Sequence, residues 1–503
     1  MATALPIGSR AQAPDGTLLR PRTLLQIATA IVVLVALVNV TTPRALGVLI
    51  ALAALTPWIV ASPVRGLHVL LVGAIVVEIF PLGFPDSLTD RIPLFENLSN
   101  SLGVKGISAT PAELLMGLVL VLGIAKSGPA IRAGLVKGRL FWPYLLFLGA
   151  VLMGEMHGLL AGGDLNKSLW ELRPQVYGFI AFVIASLLIR SRQDIERIAV
   201  IAVVAILFKA VIGDFRYFIV LGHNLGTHET VLGHEDSFFL ALVPMAALAT
   251  LIWTGWTRTF KLLAVASVVA LGALLANERR AGIAALAAGI AVILVLAIRF
   301  NPEQRRRVLI FTVIAVAACV VFLIVFWNVQ NGLIGQLVRP VRSQFDPSYR
   351  DYLSDIYRQA ENTNLKLSFD TNRLIGMGFG MPFLTVLTQA DISSIYPLWN
   401  YIPHNTLLWI GVRMGLVGCV TFWGLFGTGL LQVCRSLNVQ RNRFILALVA
   451  VIGAAIMCEL FVAYADLQLE SYRNMIFIGA ALGLLNVVPR LFPEPAEETR
   501  RVV

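Results

Sequence analysis

Charge is what this sequence has least of. Asp, Glu, Lys and Arg make up 14% of its 503 residues, against about 25% in an ordinary soluble domain. Its four cysteines (Cys319, Cys419, Cys434, Cys458) lie in or beside apolar runs and form no CxxC pair, so they suggest neither a disulfide scaffold nor a zinc knuckle. The sequence has no GxxxxGKS loop, no HExxH and no GxSxG. ATP-driven pumping, zinc proteolysis and serine hydrolysis all lose support. No basic stretch is interleaved with aromatics for base stacking, so the net charge of +11 does not mark a nucleic-acid surface.

What is present is hydrocarbon. Hydrophobic residues make up 57% of the chain, roughly enough for twelve to fourteen bilayer spans of about 20 residues each. Apolar runs fall at 24–40, 45–61, 67–84, 111–125, 142–160, 175–189, 195–221, 237–253, 260–276, 281–298, 308–327, 407–433, 444–463 and 475–488. The first follows a polar start with Arg10, Arg20 and Arg22 and carries no small-residue cleavage site, which reads as an uncleaved span. The expected fold is an all-α, polytopic helical bundle in three parts: helices over 1–327, a large extracytoplasmic loop over 328–403, and helices with a cytoplasmic tail over 404–503.

Orientation follows from the basic residues. With both termini in the cytoplasm, 23 Lys and Arg fall on cytoplasmic segments and 8 on short outer loops, with 6 in the long loop and Lys209, Arg216 and Arg413 inside spans. Long loops hardly vote, so 23 against 8 sets the register. Within the long loop Tyr349, Tyr352, Leu353, Ile356 and Tyr357 recur at helical spacing, the mark of an amphipathic helix that lies on the membrane surface or caps a cavity. The glycines of LIGMGFG mark a flexible turn after it.

Several residues can carry chemistry. Asn277, Glu278, Arg279 and Arg280 form a short outer hairpin whose guanidinium forks can grip phosphate bidentately, or anchor at the headgroups by snorkelling. His404 stands where the long loop re-enters the membrane. A histidine there can take a proton from a hydroxyl at neutral pH or serve structure, though Asn405 already suits the helix cap. Arg173, just before Pro174, faces an anionic ligand or pairs with Glu171. Asp214 and Arg216 pair with each other or serve function, the default for charge at that depth. Lys209 and Arg413 lack a local partner. His223, His228 and His234, with Glu229, Glu235 and Asp236, raise a zinc site, but their spacing matches no ligand signature, and a polar, substrate-facing loop is the simpler reading.

Three elements together resemble the bacterial O-antigen ligase and O-antigen polymerase family. They are the arginine turn ANERRAGIAAL, the glycine-rich LIGMGFG, and HNTLLWIGVRMGLVG with Gly415 and Gly418. The likeness covers roughly 262–433, with a weaker echo at ELRPQVYG. Arg413 departs from the pattern, since the family often has an acid nine positions after the histidine, and fourteen spans would exceed the twelve of a typical ligase. Residues 41–44, the first outer loop, carry no acid, unlike transferases that use dolichol-phosphate sugars.

The resemblance implies an inverting, metal-independent glycosyl transfer, without cofactor, at the outer face of the bacterial cytoplasmic membrane. The donor would be a glycan on undecaprenyl diphosphate. Arg280, with Arg279, Arg173 and Arg216, would steady the leaving diphosphate, and His404 would deprotonate the acceptor hydroxyl. The acceptor is another glycan (polymerase) or a different lipid or envelope molecule (ligase), and the extra spans lean toward polymerase. A flippase or transporter of the same lipid-linked sugars is the rival, although no repeated halves are visible.

Overall fold

The computed structural model describes residues 44–492 apart from 80–86, 91, 103–107, 224, 226–229 and 395, together with parts of a helical stretch between 26 and 38. Among these residues every regular element is a helix. The apolar run at 24–40 lies largely outside them, and each of the other thirteen runs is a helix. In chain order these and the connecting helices are α1 (Arg44–Ala61), α2 (Val64–Val76), α3 (Leu98–Leu102), α4 (Pro111–Lys126), α5 (Pro129–Lys137), α6 (Phe141–Leu160), α7 (Leu165–Leu188) and α8 (Arg192–Phe215). Next come α9 (Asp236–Thr254), α10 (Arg258–Ala276), α11 (Arg280–Phe300), α12 (Arg305–Phe326), α13 (Gly332–Arg342), α14 (Tyr349–Thr371), α15 (Thr406–Val439), α16 (Arg443–Ala463) and α17 (Tyr472–Leu491). Eleven are long and apolar enough to cross a membrane, or twelve if α4 and α5, bent by 114°, count as one span.

Side-chain caps set many of the starts. Thr110 and Glu113 close a capping box on α4, Ser191 and Asp194 another on α8, and Asp164, Thr257, Asn405 and Asn442 cap α7, α10, α15 and α16; each cap satisfies amides that hydrocarbon leaves without a partner. One expected span stops short. Within the run at 67–84 the helix ends at Val76, where Arg473 donates to the carbonyls of Ala74 (2.7 Å) and Ile75 (2.6 Å) and Lys209 to that of Val76 (3.1 Å). Both cations end on carboxylates: Lys209 on Glu78 and, at 3.6 Å, on Asp236, and Arg473 on Asp236. Buried charge here terminates a helix.

Helices α7 and α17 form the inner seam of the bundle. A Cβ on Gly479 would stand 2.0 Å from the Gly178 carbonyl oxygen, so small residues set the approach of the two backbones. Helix α12 is the opposite case. Among the described residues it packs mainly on α11 and α13, and 6% of its apolar window is buried against 78% for α7, an apolar surface suited to lipid on nearly every side.

The bundle has two distinct ends. One gathers 108–113, 171–175, 216–237, 277–280, the segment 328–404 and 464–475, joined by cross-contacts such as Arg173 to Glu113 and Arg279 to His234. The other gathers 126–139, 186–192 and 486–492, joined by Arg190 to Ser127 and Arg490 to Ile189. The partition matches the alternation of loops that the apolar runs imply.

Candidate active site

The long segment between α12 and α15 builds the site around α14. Its aromatic stripe predicts the helix correctly, but the helix is turned over. Tyr349, Tyr352, Leu353 and Ile356 are exposed, while Asp351, Glu361, Asn364 and Ser368 are buried. The inward polar groups serve the returning chain: Asn364 exchanges hydrogen bonds with the Leu387 backbone (2.8 and 2.9 Å), and Ser368 Oγ accepts from the Leu384 amide at 2.8 Å. Asp351, Asp355, Arg358 and Glu361 recur every three or four residues and so share one face.

That face receives both predicted catalytic elements. Arg280 lays its guanidinium on Asp355 (Nη2 to Oδ1 2.9 Å, Nη1 to Oδ2 3.4 Å), with Ser343 Oγ at 3.1 Å and Asp351 at 3.4 Å from Nε. His404 places Nδ1 3.2 Å from Glu361 Oε1, and its backbone amide donates to Glu361 Oε2 at 3.0 Å. Tyr357 sets its ring edge-on to the imidazole, 5.7 Å between centroids. Asp355 and Glu361 are six residues apart, about 9 Å along a helix. A buried carboxylate on Nδ1 fixes the proton there and leaves Nε2 with the lone pair. The acid partner that Arg413 left in doubt therefore comes from α14, 43 residues before the histidine.

Arg279 turns to the other side of the hairpin and bonds His234, whose Nδ1 lies 3.4 Å from the buried Asp466. Burial alone would raise the Asp466 carboxyl, but His234, Arg279 and Arg358 hold it below the usual aspartate range. Asp351 behaves similarly: desolvation is outweighed by Arg339, at 2.7 Å, and by Arg280. The hairpin is pinned from below by Asn277, which accepts from the Leu232 amide (2.8 Å) and donates to Gly233 O (3.2 Å) and Ser237 Oγ (3.0 Å). Glu278 completes the turn in the left-handed region, φ 52°, strain that its surroundings must hold in place.

Other expectations need correction. The glycine run is not a loose turn. Gly378 has φ 83°, and a Cβ on it would meet Gly158 Cα at 2.3 Å. Gly415 (φ 62°) breaks α15, and the loop repairs the break: Met377 N donates to Val412 O (2.7 Å), and Leu416 N to Arg373 O (2.7 Å). Non-helical backbone at membrane depth is tolerated where protein satisfies it in this way.

Arg413 has its partners after all. It pairs with Glu171 at 2.6 Å and donates to the carbonyls of Gly378 (3.1 Å), Met381 (2.5 Å) and Tyr401 (2.7 Å). Arg173 pairs with Glu113 (3.0 Å), not with Glu171. Asp214 does not pair with Arg216; its carboxylate abuts Gly272, while Arg216 is buried where α8 ends in a π-turn, Arg216–Val220. His228 and Glu229 lie outside the described residues. His223 packs edge-on against Phe218 at 5.2 Å, and no group of three or more His, Cys, Asp or Glu among the described residues is arranged to hold a metal.

The sequence reading missed Asp351, Asp355, Glu361, Arg339 and Asp466. For the α14 residues the signal was available, as a polar stripe running beside the aromatic one. For Asp466, one of two acids between two apolar runs, there was none.

Residues 265–423 match the family model described as O-antigen ligase, a stretch that runs from the middle of α10 through the hairpin, α14 and the glycine loop into α15. No curated protein matches the chain. The protein is thus a multi-pass membrane protein in which residues 265–423 are similar to the O-antigen ligase family.

Proposed function

We propose that the protein is a membrane glycosyltransferase that moves glycan from an undecaprenyl-diphosphate donor to a hydroxyl acceptor at the outer face of the cytoplasmic membrane. The observation that carries this reading is the meeting of His404, oriented by Glu361, and the hairpin arginine Arg280 on one face of α14. His404 Nε2 takes the proton of the acceptor hydroxyl as its oxygen attacks the anomeric carbon. The bond from that carbon to the diphosphate oxygen breaks, and attack from the opposite face inverts the centre. Negative charge grows on the diphosphate, and Arg280 stabilises it without a metal ion, with Arg279, Arg173 and Arg216 as helpers. In the unliganded site Asp355 occupies the Arg280 fork, so the diphosphate displaces a carboxylate that is 37% exposed. The outer location rests on the basic-residue bias, which puts both termini in the cytoplasm.

The acceptor separates polymerase from ligase. The lean toward polymerase rested on more than twelve spans; eleven or twelve helices meet the span criterion among the described residues, so the count favours neither. Proteoliposomes supplied with a labelled undecaprenyl-diphosphate glycan decide among the readings. Longer lipid-linked chains indicate a polymerase, and label on a different acceptor indicates a ligase. Label that changes leaflet without a new glycosidic bond overturns the transferase and supports a flippase.

A further inference from the structure

At the end of the bundle away from His404, the α5 to α6 turn and the ends of α15 and α17 enclose a pocket of about 330 Å³. Thirteen residues line it. Lys137, Arg139, Arg435 and Arg490 are among them, and among the described lining residues there is no carboxylate. Its polar floor is built rather than incidental. Asn486 Oδ1 accepts from the Leu140 amide at 3.3 Å, and a Cβ on Gly138 would collide with that side chain at 2.2 Å. Gln432 is 4% exposed, and its Oε1 has no hydrogen-bond partner. Arg490 is fixed by the carbonyls of Ser186 (3.3 Å) and Ile189 (3.2 Å).

Four cations around one concavity, with no acid among the described lining residues, repel one another and favour an anion. The Gln432 acceptor suits a hydroxyl, either that of monoprotonated inorganic phosphate or one on the glycerol of a phosphatidylglycerol headgroup. Arg435 lies 20 residues beyond the break at Gly415, roughly 30 Å along a helix, so the pocket is no part of the candidate active site.

We infer that this pocket binds a phosphate group, carried by an anionic lipid headgroup or free in solution. Basic pockets between spans at a membrane face are known to take such headgroups.

The test uses the purified full-length protein in detergent and follows thermal unfolding during titration with phosphatidylglycerol, inorganic phosphate or phosphatidylcholine. A ligand that binds only the folded state raises the midpoint. Stabilisation by phosphatidylglycerol, alone or together with phosphate, supports a lipid headgroup site. Stabilisation by phosphate alone supports a soluble anion. Either affinity should fall at least tenfold in K137Q/R139Q/R435Q, which spares the structural Arg490. Equal stabilisation by phosphatidylcholine, or wild-type affinity in the triple cation variant, overturns the inference.

Discussion

Two clusters of opposite charge stand at the same end of this bundle, and they differ in their access to water. In the first, Arg413 and Glu171 are both fully buried and their bonds go inward, to the backbone of 378–401, to Gly380 N (2.7 Å) and to Trp409 (3.1 Å). In the second, Arg280, His404 and Asp355 are 16, 25 and 37% exposed at the side chain. The first cluster holds the glycine loop against the broken α15. The second has atoms to spare for a ligand, and depth alone would not have told them apart.

Mutation should separate them further. Arg413→Ala leaves Glu171 charged and buried without its cation, which costs about 3–5 kcal/mol; we expect poor recovery of folded protein and a large drop in melting temperature in detergent. A variant that melts normally yet loses transfer would move this pair into the catalytic machinery. Arg280→Lys should melt near wild type and lose on the order of 10²–10³ in turnover with labelled donor, the usual effect of removing one preorganised donor. Unchanged turnover would transfer the diphosphate clamp to Arg279.

Asp355→Asn sharpens the comparison from the other side. It frees the Arg280 fork, so the KM for donor should fall, by up to about tenfold or 1.4 kcal/mol, with kcat little changed; a raised KM would mean that Asp355 positions Arg280 rather than competing for it. The smallest effect concerns acid. Asp466 is held below the usual range by its cationic neighbours, so its contribution is present above the unfolded aspartate value of about 3.9 and is lost as pH falls below that. Asp466→Asn should show a shallower loss of melting temperature below that pH than wild type, and parallel curves would show that the ion pair adds no stability.

The helices were legible because a hydrocarbon solvent demands long apolar runs, and thirteen of the fourteen runs correspond to described helices. Less legible was which side of α14 faces inward. Aromatic spacing located the helix, but burial of the apolar stripe is a rule for water, and here Asp351 and Glu361 turn in while Tyr349 and Tyr352 turn out. Arg280 and His404 stand out as candidates in the local pattern. Their partners were not, since Glu361 precedes His404 by 43 residues and Glu171 precedes Arg413 by 242. Only tertiary packing joins such distances. The glycines of LIGMGFG misled for a related reason: positive φ signals a turn in either case, and only the neighbouring Gly158 shows that this one is packed tight.

Single-turnover transfer from labelled undecaprenyl-diphosphate glycan by His404→Ala, compared with wild type in the same proteoliposomes, tests the account most directly. We expect the bond-forming step to slow by about 10²–10⁴ while the melting temperature stays that of wild type. Transfer at the wild-type rate by a folded His404→Ala protein would contradict it.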